Sequence, residues 1–250
     1  MLRRIVRAAV PGSLRASLMR ARRARRDSGL RLAARTGAPP ADFPHLLTEI
    51  VQEIKGGVFL DGKLANIRLG AARLDGAVVA PGETFSFWAL VGRPSAAAGF
   101  QLGRSIRGGV AGGDIGGGLC QVSGIAYEAG LRAGLTIVER HPHSRDLYTE
   151  AERFTPLGLD ATVVWPYRDL RLVNPHPVPV RFGFAVWEDA ITASVHAPVP
   201  WPPSTIEIER TDGEGQRHVR VLRRTGEGEP ELVSDDVYPV MPSGNGGGNR

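Results

Sequence analysis

The sequence predicts an α+β protein in which helices precede a mainly antiparallel sheet. Apolar residues recur at helical spacing over residues 46–54, 61–74 and 122–133. From residue 136 onward, short β-branched and aromatic runs alternate with turn signals, as is typical of strands. Helices followed by strands favour α+β over an alternating α/β architecture.

Turn residues bound the predicted helices. Gly56-Gly57 ends the first, Asp75-Gly76 the second and Gly134 the third. Ala80-Pro81-Gly82 forms a turn before a short apolar segment at residues 84–91. A glycine-rich loop at residues 108–118 leads directly into the third helix. The predicted strands are 136–140, 161–165, 170–173, 179–186, 191–195, 205–210, 218–223 and 232–240.

These elements predict four parts of the chain. Residues 1–40 form a basic arm and linker, and residues 41–197 form the core domain. The strands of residues 198–241 pack on that core, and the glycine-rich tail of residues 242–250 is disordered.

Positive charge is concentrated in the arm. Residues 1–35 hold eleven arginines and one acid, whereas the rest of the chain holds 20 basic and 25 acidic residues. The arginines interrupt any apolar run long enough for a secretory signal, and no stretch has the ~18 apolar residues of a membrane span. We therefore expect a cytoplasmic protein, with a peripheral position on the inner face of the membrane as an alternative.

Three interpretations of residues 1–35 stay open. The arm is a solvated tail, or a basic helix capped by Ser13 that lies on an anionic membrane surface. Nucleic-acid binding is the least favoured, because no aromatic residues interleave with the arginines.

The single cysteine, Cys120, excludes an internal disulfide framework and stands at the predicted start of the third helix. Unpaired N–H groups and the helix dipole at such a position stabilise a thiolate. Gly116, Gly117 and Gly118 would let a substrate approach the backbone, and the loop amides with the Gln121 side chain could hold an oxyanion.

A nucleophilic cysteine needs a base, and His141 and His143 follow the next predicted strand. Asp160, at the start of the following strand, could orient the imidazole. This order of cysteine helix, histidine and aspartate strand is similar to that of papain-like and transglutaminase-like folds. Arg140 could pair a substrate carboxylate, and Glu83 could face the same cleft or only cap its turn.

Other interpretations compete with this one. Cys120 could be a buried or ligand-contacting residue without chemistry. A metal site is disfavoured because one cysteine beside His-x-His lacks the paired spacing of zinc ligands, so we expect no metal and no cofactor. The glycine-rich loop lacks the P-loop pattern and the dinucleotide pattern, which disfavours nucleotide binding.

Three motifs together resemble the VanW family, named after an accessory protein of vancomycin-resistance gene clusters. They are PGETFSF at residues 81–87, GGGLCQVS at 116–123, which includes Ser123, and ERHPHS at 139–144. The resemblance covers roughly residues 45–240. It places the family pattern on Cys120 and His143, which favours His143 over His141 as the base.

The resemblance implies a role in the bacterial cell envelope and in glycopeptide resistance, without an established activity. On this basis we expect cysteine-dependent acyl or amide chemistry on a peptidoglycan-related peptide. The alternatives are a non-catalytic module that binds a carboxylate-bearing peptide or envelope precursor, and a membrane-surface interaction protein.

Overall fold

The computed structural model describes residues 12–107, 110–146 and 153–240. The first eleven residues, Gly108-Gly109 and the predicted disordered tail lie outside the described residues. The helices are α1 (Gly12–Asp27), α2 (Leu60–Leu74), α3 (Phe87–Val91) and α4 (Leu119–Arg132), with short 3-10 helices at Pro40–Asp42 and Ala96–Ala98.

The strands form antiparallel sheets, in agreement with the predicted class. The sheet orders are β1-β3-β9-β10-β2, β4-β8-β7 and β11-β12-β13, and β5 and β6 form a separate hairpin. The strands are β1 (Ala34–Arg35), β2 (His45–Glu53), β3 (Ala77–Val79), β4 (Thr84–Ser86), β5 (Leu102–Arg107), β6 (Val110–Ile115), β7 (Thr136–Glu139), β8 (Arg171–Val173), β9 (Val180–Val186), β10 (Ala190–Ala197), β11 (Thr205–Gly213), β12 (Gln216–Arg224) and β13 (Glu231–Pro239).

The main core lies between α2, α4 and the five-stranded sheet. Twelve of the fourteen residues of α4 are buried, so this helix is central rather than amphipathic. At Gly70 an added Cβ would lie 2.7 Å from Leu119 Cδ2, so the small residue lets α2 and α4 pack closely. Close packing fixes the start of α4, where Cys120 stands.

The prediction of a helix at residues 46–54 is wrong, because this segment forms β2. It pairs with β10 along its whole length, from His45 opposite Ala197 to Glu53 opposite Ala190. Burial in this strand does not follow the apolar spacing, since Thr48 and Gln52 are buried whereas Leu46 and Val51 are exposed. The pairing decides the outcome, since a helix here would leave the edge of β10 without hydrogen-bond partners.

Two further predictions are wrong, and both concern segments near Cys120. Residues 161–165 do not form a strand but an irregular segment with one bridge between Val164 and Arg168. The described part of the glycine-rich stretch is mostly strand β6, and only Gly116, Gly117 and Gly118 form a turn.

Helix α1 is attached to the core by ion pairs. Arg23 contacts Glu139 at 3.1 Å and Asp169 at 3.4 Å, and Asp27 contacts Arg171 at 2.8 Å. The side chain of Arg23 is only 14% exposed. Residues 12–27 are therefore a docked helix rather than a solvated tail. Within the described residues, no helix combines the length and the apolar character that crossing a membrane requires.

Candidate active site

A cavity of about 540 Å³ lies at the start of α4. Its walls come from α1, the β5–β6 hairpin, the first turn of α4 and residues 162–167. Both Cys120 and His143 line the cavity, together with Gly116, Gly117 and Gly118. The fold thus brings the predicted thiol, one of the two predicted imidazoles and the glycines to one place.

Cys120 is the second residue of α4 and is partly exposed. Its Sγ lies 3.8 Å from the carbonyl oxygen of Val163. Among the described residues, no acceptor receives the backbone N–H of Cys120. This N–H is one of the unpaired donors of a helix N-terminus and is available to an oxygen atom in the cavity.

His143 forms two hydrogen bonds with Asp160. Its Nδ1 lies 2.6 Å from Asp160 Oδ2, and its backbone N–H donates to the same oxygen at 2.7 Å. Burial favours the neutral ring, but the hydrogen bonds to Asp160 and Cys120 and their charges raise the pKa of His143 to about 10. The ring is therefore an imidazolium at neutral pH.

Asp160 is the carboxylate that orients this ring. Tyr238 Oη donates to Asp160 Oδ1 at 2.7 Å, and Arg140 Nη2 donates to the same oxygen at 3.0 Å. Burial would raise the pKa of Asp160, but the hydrogen bond and charge of His143 and the charge of Arg140 hold it well below its ordinary value. Asp160 precedes the irregular segment, so its predicted place at the start of a strand is wrong.

The side chain of Arg140 is not available to a substrate carboxylate, contrary to the prediction. It is only 4% exposed and forms ion pairs with Asp160 and Asp236. Its remaining donors bind the carbonyl oxygens of Gly158 and Asp160, and its guanidinium lies over the Tyr127 ring. Arg140 thus supports Asp160 from behind the cavity wall.

The three glycines that line the cavity are also required by backbone packing. An added Cβ at Gly117 would lie 2.2 Å from the carbonyl oxygen of Gly103, which leaves no room for any side chain. Gly116 and Gly118 have φ values of +85° and +104°, a region that favours glycine. These three residues let the β5–β6 hairpin fold tightly against the start of α4.

Gln121 and Ser123 have partners within the protein. Gln121 Nε2 donates to the carbonyl oxygen of Glu53 at 2.8 Å, so this amide is not a free oxyanion donor. Ser123 is fully buried, and its hydroxyl donates to the carbonyl oxygen of Ala161 at 2.6 Å. Both residues fix α4 to neighbouring segments.

Glu83 and His141 also lie apart from the thiol. Glu83 accepts a hydrogen bond from the backbone N–H of Ala80 at 3.1 Å, which makes it a turn residue. His141 Nε2 lies 3.1 Å from Glu139 Oε1, in the network that holds α1. Neither residue is among those that line the cavity.

The sequence interpretation missed the basic wall of the cavity. Lys63, Arg93, Arg104 and Arg20 line it from four different elements. Lys63 Nζ donates to the carbonyl oxygen of Lys55 at 3.1 Å, and burial with the charge of Arg104 lowers the pKa of Lys63 to about 8. One signal was present, since the chain contains only two lysines and both line this cavity.

The described residues hold no cluster of three or more side chains arranged to bind a metal ion. The cavity instead holds the Cys120 thiol and the His143 imidazolium in one lining, and this imidazolium is hydrogen-bonded to the Asp160 carboxylate. Nucleophilic and acid–base chemistry are the reactions that such groups can perform.

Comparisons with known proteins agree with the motif pattern. The family model described as "VanW like protein" matches residues 62–196. A Bacillus subtilis protein named "Uncharacterized protein YoaR" is 35% identical over 153 residues, which cover 58% of this chain and 49% of that protein. The "Vancomycin B-type resistance protein VanW" of Enterococcus faecalis is 29% identical over 140 residues, or 56% of this chain and 51% of that protein.

The chain thus spans about half the length of the curated relatives that it matches. No solved structure shows a significant match, so the similarity to papain-like and transglutaminase-like folds stays a prediction. The family model covers more than half of the chain and includes Cys120, His143 and Asp160. The chain belongs to the VanW family.

Proposed function

We propose that the chain catalyses thiol-dependent acyl transfer or amide hydrolysis on a peptidoglycan-related peptide. Cys120 is the nucleophile, His143 carries the proton and Asp160 orients the ring. One observation carries the proposal: His143 is hydrogen-bonded to the ionised Asp160 and lines, together with Cys120, a cavity large enough for a small substrate.

The protonated state of His143 assigns the order of proton movements. The ring holds a proton at neutral pH, and the thiolate is the form in which a cysteine attacks, so we propose a thiolate and an imidazolium as the reactive pair. Cys120 Sγ attacks the carbonyl carbon, and the π electrons of the carbonyl move to its oxygen. The backbone N–H of Cys120 then donates to that oxyanion.

The remaining steps return the site to its starting state. His143 gives its proton to the leaving amine as the C–N bond breaks, which leaves a thioester on Cys120. The neutral imidazole then takes a proton from water, whose oxygen attacks the thioester. When the C–S bond breaks, the thiolate and the imidazolium are restored.

The substrate class and the location rest on the family. The Enterococcus faecalis relative is named a vancomycin resistance protein, which supports an envelope peptide as substrate and a role in glycopeptide resistance. Contact with an anionic membrane surface through residues 1–35, from the inner face, is a further proposal. The exposed side chains of Leu14 and Leu18 on the arginine-rich α1 support it.

The test is the pH dependence of Cys120 alkylation by iodoacetamide in three proteins. We expect His143→Ala to shift the alkylation profile to higher pH, because the thiolate loses its imidazolium partner. His141→Ala is the matched control, since it removes an imidazole two residues away that does not line the cavity. Identical profiles in the wild type and His143→Ala would reject the catalytic pair.

A second candidate function is a binding module without chemistry, in which Cys120 only lines the cavity. The basic wall favours it, because a carboxylate-bearing peptide or envelope precursor would find cations there. A thiol whose alkylation does not depend on His143 would favour this second function.

A further inference from the structure

The basic wall of the cavity has an unusual charge balance. Among the described residues, no carboxylate lies within ion-pair distance of Lys63, Arg93, Arg104 or Arg20. In the part of the lining that the structure describes, Asp114 is the single acidic residue, and the fifth cation there, Lys55, pairs with Glu53 at 2.6 Å. The described part of the cavity therefore holds more positive charge than its own groups neutralise.

The basic wall is assembled by tertiary structure. Arg20 comes from α1, Lys63 from the first turn of α2, Arg93 from the segment after α3 and Arg104 from β5. Burial and the charge of Arg104 lower the pKa of Lys63, so the charged ammonium is disfavoured here when no anion is present. An arrangement with this cost is typical of a site that receives an anion.

Another part of the cavity lining is aromatic and apolar. Trp88 and Trp165 meet edge to face with ring centroids 5.7 Å apart, and Phe154 and Tyr167 also line the cavity. Cys120 and His143 lie in the same lining. A substrate can thus place an anionic group on the basic wall and its less polar part beside the aromatic rings.

We propose that the basic wall binds the phosphate or diphosphate group of the acyl substrate. A carboxylate carries one negative charge, which is too little for four cations, whereas a phosphate monoester or a diphosphate carries about two or more and presents several acceptor oxygens. Arginine forks and a lysine ammonium are the side chains that proteins use for phosphate. This inference rests on the proposed function and names the substrate class of the same cavity.

The experiment measures the binding of inorganic pyrophosphate by calorimetry. The protein carries Cys120→Ser, so that the result does not depend on any reaction at the thiol. We expect Lys63→Gln and Arg104→Gln each to weaken binding about tenfold, because each removes one charge-assisted hydrogen bond. Arg68→Gln is the matched control, since Arg68 lies on α2 but does not line the cavity, and we expect it to leave binding unchanged.

Two results would overturn the inference. One is no measurable pyrophosphate binding, or binding that Lys63→Gln and Arg68→Gln weaken equally, in variants with unchanged thermal unfolding. The other is tighter binding of an N-acetylated dipeptide with a free carboxylate than of pyrophosphate. Because the thiol is absent throughout, these results leave the alkylation test of the proposed function independent.

Vesicles identify the source of the phosphate. Binding to vesicles of phosphatidic acid but not of phosphatidylcholine, with the same loss in Lys63→Gln, would assign the phosphate to a lipid. Pyrophosphate binding without vesicle binding would assign it to a soluble substrate. Vesicle binding that Lys63→Gln does not change would place the membrane contact outside the cavity and, without pyrophosphate binding, would reject the inference.

Discussion

Arg140 and the cations of the basic wall both lie near the Cys120–His143 pair, and they differ in how the protein neutralises them. Behind the pair, Arg140 has carboxylate, carbonyl and aromatic partners and is almost inaccessible. In front of it, Lys63 and Arg104 face a cavity without a carboxylate within ion-pair distance in the described structure. The comparison indicates that Arg140 serves the fold and that the basic wall serves a ligand.

The largest expected effect on the free energy of unfolding comes from replacing Arg140. We expect Arg140→Gln to lower the free energy of unfolding by about 3–5 kcal/mol, because Asp160 and Asp236 would stay buried with less compensation. Urea unfolding measures this loss. Arg220→Gln is the control, since its pair with Glu209 is exposed and is worth about 1 kcal/mol or less. Equal losses in the two variants would contradict a structural role for Arg140.

An intermediate effect on stability is expected from the imidazole ring of His143. The pKa of His143 rises from 6.5 to about 10 on folding, so its protonation stabilises the fold fully below pH 6.5 and progressively less as the pH rises toward 10. The lowered pKa of Asp160 adds stability that is present above pH 3.8 and is lost as the pH falls below that value.

The difference in unfolding free energy between the wild type and His143→Ala should therefore be largest between pH 3.8 and 6.5 and should decrease above this range. Urea unfolding at a series of pH values measures it. A difference that is constant up to pH 10 would show that His143 stabilises the fold by packing alone.

The smallest effect on stability is expected from replacing the cations of the basic wall. Lys63→Gln and Arg104→Gln should change the free energy of unfolding by no more than about 0.5 kcal/mol, because no ion pair is lost. A gain from relieved repulsion would fit a site whose stability is lowered for function. Thermal unfolding measures both variants, and a loss as large as that of Arg140→Gln would remove the distinction between the two groups.

Parts of the candidate site could be predicted from sequence because their signals are local. The apolar periodicity after residue 119 predicts the helix that carries Cys120, and the turn signals predict the hairpin of β11 and β12. The family pattern selects His143 rather than His141, and of these two histidines only His143 lines the cavity with Cys120.

Other parts could not be predicted because they depend on partners far away in the chain. The apolar pattern of residues 46–54 fits a helix, and the pairing with the remote strand β10 overrides it. The sequence predicts that Arg140 is free for a substrate carboxylate, because its partner Asp236 lies 96 residues away and gives no local signal. The close packing of Gly117 against Gly103 could not be predicted either, because Gly103 belongs to another strand.

The sequence by itself determined the α+β class, the helix that begins beside Cys120, the antiparallel C-terminal strands and the family. Backbone propensity, turn chemistry and motif spacing act over a few residues, so the sequence states them directly. Only the tertiary structure decided which charges are neutralised, where α1 docks and which wall of the cavity is basic. These outcomes follow from burial and from distances between side chains, and both arise only when remote segments pack together.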